Sequence, residues 1–137
     1  MTEKTKSQKT SSKFDYKTIK SFEDACIKLG IDPEKLPDAS MLPEELRKPV
    51  IASYKLMIIY QAINDGWKPD WNNSGQYKYF PWYRVLSSGF GFSCSLYYYD
   101  LTFTGVGSRL CTDSSDKAMY IAEQFKAEYQ DYFLYSA

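Results

Sequence analysis

Apolar residues recur at helical spacing along much of this chain, and the longest such segment lies in its first half. From Pro49 to Asn64 they repeat every three or four positions, and further apolar residues widen the stripe beyond one face. A helix with so broad an apolar surface is mostly buried, because little of it tolerates water. We therefore predict that this segment is the central helix of the fold and that Gly66 is its C-terminal cap.

Shorter helices are predicted on either side of the central one. Ser21-Phe-Glu-Asp24 is a capping box that begins a helix ending at Gly30. Asp32-Pro33 is typical of a further helical turn, with Asp as the cap and Pro at the first helical position. Asp113-Ser-Ser-Asp116 is predicted to cap a closing helix, whose apolar positions form one stripe over residues 118–133.

Between the central and closing helices the pattern changes to alternation. From Phe90 to Tyr99 apolar residues alternate with small residues or Tyr, as in a β-strand with two different faces. Residues 77–86 alternate less regularly, since Pro81 marks a sheet edge or a bulge, and residues 106–112 form a third strand. The predicted fold class is α+β, with two or three N-terminal helices, a three-stranded antiparallel sheet and a closing C-terminal helix.

The alternation also predicts which side chains lie outside the core. If the apolar positions of the first two strands face the helices, tyrosines and small residues occupy the opposite face. Rings beside a shallow trough can stack on bases, sugars or a partner's side chains. The alternative is that a helix or another subunit covers them. With their basic neighbours, the candidate binding residues are Tyr77, Lys78, Tyr79, Tyr83, Arg84, Tyr97, Tyr99 and Arg109.

Composition and charge add a second feature to this picture. Aromatic residues make up 18% of the 137 residues, which favours a half-wet working surface, because Tyr has an apolar body and a polar tip. Basic and acidic residues are equal at 17 each, but residues 1–20 hold six Lys against Glu3 and Asp15. We predict a disordered Lys-rich tail over residues 1–20 and a single domain over residues 21–137. Such a tail indicates a polyanionic partner or is simply a solvated end.

Several chemistries are disfavoured by the residues that the chain lacks. It has no His, which removes the usual general base at neutral pH and the commonest metal ligand. Cys26, Cys94 and Cys111 are far apart, so we expect buried thiols in a reducing compartment. No signal-peptide pattern opens the chain, and its longest apolar run is far too short to cross a bilayer. We therefore expect an intracellular protein without enzymatic activity, cofactor, metal or membrane contact.

Six short stretches and one helix, taken together, resemble a known family. They are Ser21-Phe-Glu-Asp-Ala-Cys26, Leu29-Gly-Ile-Asp-Pro33, Gly66-Trp-Lys-Pro-Asp-Trp-Asn72, Lys78-Tyr-Phe-Pro-Trp-Tyr83, Ser88-Gly-Phe-Gly-Phe-Ser93, Gly107-Ser-Arg-Leu-Cys111 and Ala122-Glu-Gln-Phe125. In these the chain resembles a family of small uncharacterised proteins from phages and mobile elements of gut Bacteroidetes, crAss-like phages included. The resemblance covers about residues 20–133. It implies no activity, but it implies a location in the cytoplasm of the bacterial host or in the virion.

Two functions remain as hypotheses. The first is a non-enzymatic protein that binds single-stranded nucleic acid, in which the tyrosines stack on bases while Lys78, Arg84 and Arg109 contact phosphates. The acidic body counts against it, since most such grooves are backed by positive charge. The second is a virion component or a protein–protein interaction module whose rings form the interface. The sequence leaves the oligomeric state open, a homo-oligomer included.

Overall fold

The structure, a computed structural model, describes residues 13–81, 83–86, 89–91, 97–100 and 109–134, and it describes only the backbone of 84–86, 89–91 and 97–100. Its α-helices are α1 (Phe22–Leu29), α2 (Glu44–Asn64), α3 (Ser115–Gln124) and α4 (Lys126–Phe133), preceded by a 3-10 helix over Tyr16–Thr18. Its strands are β1 (Lys78–Pro81), β2 (Arg84–Leu86), β3 (Gly89–Gly91) and β4 (Tyr97–Asp100).

The ends of α1 are those that the sequence predicts. The Ser21 hydroxyl accepts a hydrogen bond from the Asp24 amide at 3.1 Å, which satisfies one of the open donors of the first turn. Gly30 ends the helix with φ at 71°, a conformation that strains any residue with a Cβ atom. The following Asp32-Pro33 forms a single turn, as predicted: the Asp32 carboxylate accepts from the Glu34 amide at 2.9 Å, and the Asp32 carbonyl accepts from the Lys35 amide at 3.1 Å.

The prediction of a buried central helix is confirmed, although α2 begins five residues earlier than Pro49. Its Leu56, Ile59 and Ile63 are fully buried. Pro49 lies inside α2, in a segment whose side chains are mostly exposed, where the lost amide donor costs least. The predicted cap is one residue late, since Asp65 already adopts the left-handed conformation with φ at 49°.

The predicted closing helix consists of two helices. The Ser114 hydroxyl accepts from the Lys117 amide at 3.2 Å and begins α3, which confirms the predicted cap. Phe125 then leaves helical geometry, with φ at −115° and ψ at 34°, while its side chain remains in the core. The same apolar stripe continues on both sides of Phe125, so the spacing of apolar residues does not predict the break.

The three-stranded antiparallel sheet predicted from the sequence is wrong. Among the described residues, β1 pairs with β4 and β2 with β3, both antiparallel, and most regular structure is helical. From the predicted third strand, Thr112 bridges to Tyr79, with N···O distances of 2.9 and 2.8 Å. β1 therefore lies between β4 and Thr112 and is not an edge strand. Alternation reports the two faces of a strand, whereas pairing depends on contacts distant in sequence, so alternation alone does not specify which strands pair.

The core is built from helices. α2 packs against α1 and α4, and α3 packs against β1. Cys26 is buried within this helical core, and Cys111 is buried next to Thr112, where the chain meets β1. Burial is the main cause that raises the pKa of the Cys26 thiol. Cys94 lies outside the described residues.

Residues 13–20, which the sequence assigned to the tail, pack against α3. The Tyr120 hydroxyl donates to the carbonyls of Lys17 and Ile19, at 3.2 and 2.7 Å, and the Gln124 side chain donates to the carbonyl of Lys20 at 2.8 Å. Ile19 is buried in the core. This part of the chain is thus held by apolar burial and by three side-chain hydrogen bonds.

Candidate functional site

The register of β1 and β4 brings four predicted tyrosines to one face. Tyr79 lies directly opposite Tyr99, and Pro81 lies opposite Tyr97. Cross-strand partners share a face of an antiparallel pair, and so do alternate residues along a strand, which adds Tyr77 directly before β1. We call positions 77, 79, 97 and 99 the tyrosine face.

The opposite face of β1 is buried. Lys78 has no exposed surface, Phe80 is also buried, and β1 packs against α3. Tyr77, by contrast, is 48% exposed and Tyr79 is partly exposed. The tyrosine face is therefore the more open side of β1.

The two described rings of the tyrosine face are neighbours. The centroids of Tyr77 and Tyr79 are 6.1 Å apart and their planes meet at 58°. A flat base held between two rings needs them parallel and about 7 Å apart, since stacked bases are spaced about 3.4 Å apart. These rings are tilted, so each offers its own surface to a partner and the pair does not form a sandwich.

In the loop that leads into Tyr77, residues 70–76, side chains bind nearby backbone amides. The Asp70 carboxylate accepts from the Asn72 amide at 3.0 Å, and the Asn73 side-chain oxygen accepts from the Gly75 amide at 2.9 Å. The Asp70 amide donates to the Gln76 side chain at 2.6 Å. Side chains that bind nearby amides in this way are the usual stabilisers of tight turns.

The side chain of Lys78 extends from β1 into this loop and is buried there. Its Nζ atom donates to the carbonyls of Asn73 and Gln76 at 3.1 and 3.0 Å, and it lies 4.9 Å from the centroid of the Trp71 ring. The prediction that Lys78 contacts phosphates at the surface is wrong. The alternation of the sequence indicated this burial, because Lys78 lies on the same face of the strand as the apolar Phe80.

Tyr83 lies against the helices, so the prediction that it faces outward is wrong. Its hydroxyl donates to the Ala122 carbonyl at 2.6 Å, and its ring centroid is 5.0 Å from that of Tyr129. Ala122 belongs to the last turn of α3, where carbonyls lack helical donors, so Tyr83 caps that helix end. Burial, and then the neighbouring Tyr129, raise the pKa of Tyr83 well above its ordinary value. Alternation does not carry past Pro81, where β1 ends.

A buried tyrosine pair lies behind Tyr83. The hydroxyls of Tyr60 and Tyr129 are 2.5 Å apart and hydrogen-bonded, and both side chains are buried. Burial raises the pKa of both phenols, and for Tyr129 the hydrogen bond with Tyr60 opposes part of that rise. Sequence reasoning assigned both residues to apolar stripes but missed the pair, since it joins helices distant in the chain.

The remaining predicted residues are less fully described. Arg84 pairs through its backbone with Gly91, and its side chain, like those of Tyr97 and Tyr99, lies outside the described part. Arg109 is exposed and lies three residues before Thr112, the neighbour of β1. The structure thus brings together positions 77, 79, 97 and 99, but it separates Lys78 and Tyr83 from them.

A second exposed surface lies near the start of α2. Met41, in the turn before the helix, is 91% exposed, and Leu46 and Val50 are exposed one helical turn apart on the same face. We call these three residues the α2 apolar patch. Exposed apolar side chains grouped in this way are typical of protein contact surfaces.

The described part of the chain shows neither a metal site nor a membrane-spanning helix. It holds no group of three or more His, Cys, Asp or Glu side chains placed to bind a metal ion. None of the helices in it combines the length and the hydropathy that crossing a membrane requires. No protein-family model, curated protein or solved structure matches the chain.

Proposed function

We propose that this protein is a non-enzymatic binding protein and that its tyrosine face holds single-stranded nucleic acid. The observation that carries the proposal is the register of β1 and β4, which gathers positions 77, 79, 97 and 99 on the open side of the pair. Aromatic rings on a sheet surface stack on bases of any sequence, and each stack contributes about 1–3 kcal/mol. Tyr77, about half exposed, is the ring best placed for such a contact.

The positive charge for this partner is assigned to Arg109 and to the N-terminal lysines. Arg109 is exposed, whereas Lys78 is buried and is removed from the proposed phosphate contacts. Residues 13–20 are held on α3, the helix that also packs against β1. Residues 1–12 contain three further Lys, and a fully stretched chain of that length spans about 40 Å. The resemblance to phage proteins makes phage nucleic acid the natural partner in this proposal.

A protein partner is the second candidate, and the α2 apolar patch favours it. The patch exposes apolar side chains, which contact a protein partner more favourably than a charged nucleic-acid backbone. Aromatic side chains are also enriched at the centres of protein interfaces, so the tyrosine face suits either partner. In this alternative the protein is a virion component or an interaction module.

A salt titration with matched tyrosine variants tests the first candidate. Fluorescence anisotropy of a labelled oligothymidylate of about 16 nucleotides, and of its RNA equivalent, is measured between about 50 and 200 mM salt. We expect affinity to fall as salt rises, because released counterions drive phosphate contacts. Tyr77→Ala removes a stacking ring and weakens binding by about 5-fold or more. Tyr77→Phe keeps the ring and retains most of the affinity.

The controls separate the two candidates. Deleting residues 1–12 leaves the docked segment 13–20 intact and should lower the salt dependence. Ile27→Ala alters an exposed side chain on α1 and should leave binding unchanged. Equal affinity for the wild type and Tyr77→Ala would overturn the nucleic-acid proposal. Light scattering that shows a dimer or larger species, reduced by Leu46→Glu, would support the protein partner instead.

A further inference from the structure

We infer that Lys78 is an internal cation that holds residues 70–77 in the shape that places the Tyr77 ring on the tyrosine face. Lys78 is thus a positioning residue, not a ligand-contacting one. The inference rests on the proposed function for what Tyr77 binds, but not for how Tyr77 is held.

The surroundings of the Lys78 ammonium are those of a bound cation. Two of its three donors are directed at the carbonyl oxygens of Asn73 and Gln76, and the face of the Trp71 ring lies within cation–π distance. The side chain has no exposed surface, so these protein dipoles replace water around the charge. A buried ammonium is retained only where such partners are fixed in place.

Side chains make two kinds of hydrogen bond to the backbone of the loop. Side-chain oxygens of Asp70 and Asn73 accept from loop amides, at 3.0 and 2.9 Å. The carbonyls of Asn73 and Gln76 instead converge on the Lys78 ammonium. Convergent carbonyls repel one another unless a cation lies between them. The loop also has two backbone hydrogen bonds, from the Asn73 amide to the Asp70 carbonyl at 3.1 Å and from the Gln76 amide to the Asn73 carbonyl at 3.2 Å. Lys78 adds the charged donor that holds the Asn73 and Gln76 carbonyls together.

The position of Tyr77 follows from these contacts. Its preceding neighbour, Gln76, is bound through the carbonyl to Lys78 Nζ, and its following neighbour is Lys78 itself. The peptide unit before Tyr77 is therefore bound to the ammonium, and the residue after Tyr77 carries that ammonium, so the chain is held on both sides of the ring. A ring held in place before binding loses less conformational freedom when a partner arrives, which improves affinity without a new contact.

Amide hydrogen exchange of two Lys→Met variants tests this inference. Lys78→Met keeps an unbranched side chain one atom shorter but removes the charge, and Lys68→Met makes the same change at an exposed lysine of the preceding segment. We expect the Gly75 and Gln76 amides to exchange about tenfold faster or more in Lys78→Met, since hydrogen bonds to a charged group are lost. Lys68→Met should match the wild type, and the amides of α1 should be unchanged in both. Unchanged exchange in Lys78→Met would overturn the inference.

A chemical rescue distinguishes charge from packing. Lys78→Ala leaves a channel that n-propylammonium fits, with the same carbons and ammonium that the substitution removes. We expect n-propylammonium to restore slow exchange at Gly75 and Gln76, and the uncharged n-propanol to fail. Equal rescue by both compounds would show that packing holds the loop, and the inference would be wrong. If Lys78→Met fails to fold, this rescue decides in its place.

The oligonucleotide assay keeps this inference separate from the proposed function. If the wild type binds the oligonucleotide, Lys78→Met should weaken binding about as much as Tyr77→Ala does. Equal binding by Lys78→Met and the wild type, with the loop loosened, would contradict the positioning role. If the wild type does not bind, the proposed function fails, while the exchange and rescue measurements still decide the inference.

Discussion

The described tyrosines include two groups with opposite environments. In the helical body, the hydroxyls of Tyr60 and Tyr129 bind each other, and that of Tyr83 binds the carbonyl of Ala122. On the sheet, the Tyr77 ring lies beside another tyrosine ring and is about half exposed. The same side chain therefore stabilises the fold in one region and offers surface in the other. The polar tip of the buried group needs a protein partner, because an unpaired buried hydroxyl is costly.

The largest expected effect is on stability, from removing a ring of the buried pair. Tyr60→Ala leaves a cavity at a fully buried site and deprives Tyr129 of its hydroxyl partner. We expect the free energy of unfolding to fall by about 3–5 kcal/mol, as for other buried aromatic residues. Urea unfolding followed by circular dichroism measures it. A loss below about 1 kcal/mol would mean that the two groups do not differ as described.

Alkaline pH should act on the buried group next. In the unfolded chain a phenol titrates near pH 10, whereas folding raises the pKa of Tyr60 and Tyr129. Above about pH 10 the unfolded state therefore binds fewer protons, so stability is fully present below that pH and falls as pH rises. Each such phenol costs about 1.4 kcal/mol per pH unit. Urea midpoints on either side of this pH measure the loss, and Tyr129→Phe should show a smaller one. A pH dependence unchanged in Tyr129→Phe would contradict this assignment.

A smaller loss of stability is expected at Tyr83, whose partly buried hydroxyl caps the end of α3. Tyr83→Phe keeps the ring against Tyr129 but removes the donor to the Ala122 carbonyl. We expect the free energy of unfolding to fall by about 0.5–1.5 kcal/mol. Tyr132→Phe on α4, a residue packed against the core, is the matched control and should change stability less. The same urea titration compares them, and equal effects would argue against a capping role for Tyr83.

The smallest stability change is expected on the tyrosine face. Tyr77→Ala should alter the free energy of unfolding by at most about 0.5 kcal/mol, because about half of the side chain is exposed and the site is not in the core. Its effect should appear in partner binding instead. A destabilisation comparable to that of Tyr60→Ala would show that Tyr77 belongs to the core and would remove the tyrosine face as a binding surface.

Local chemistry allowed three helix ends to be predicted from sequence, the two ends of α1 and the start of α3. Ser21, Gly30 and Ser114 act on backbone groups within a few residues, so the chain alone specifies them. The break at Phe125 was not predictable, since the apolar stripe continues across it. The same stripe gave the burial of Tyr60 but could not indicate its partner.

The candidate site was predictable only as far as alternation holds. It placed Tyr77 and Tyr79 on one face, and it also placed Lys78 with Phe80, although the charge of Lys78 suggested the surface instead. It failed at Tyr83, because β1 ends at Pro81. The pairing of β1 with β4 joins residues about twenty positions apart, which no local pattern specifies.

The burial of Cys26 and Cys111 provides native reporters for the two regions. Alkylation requires both access and a thiolate, so a buried thiol reacts only when its surroundings open. In a protein with Cys94 replaced by Ser, the labelling rate at Cys26 reports how often the helical core opens. The rate at Cys111 reports the detachment of the chain from β1. Comparing the two rates would show whether the contact between Thr112 and β1 opens on its own or only when the whole molecule unfolds.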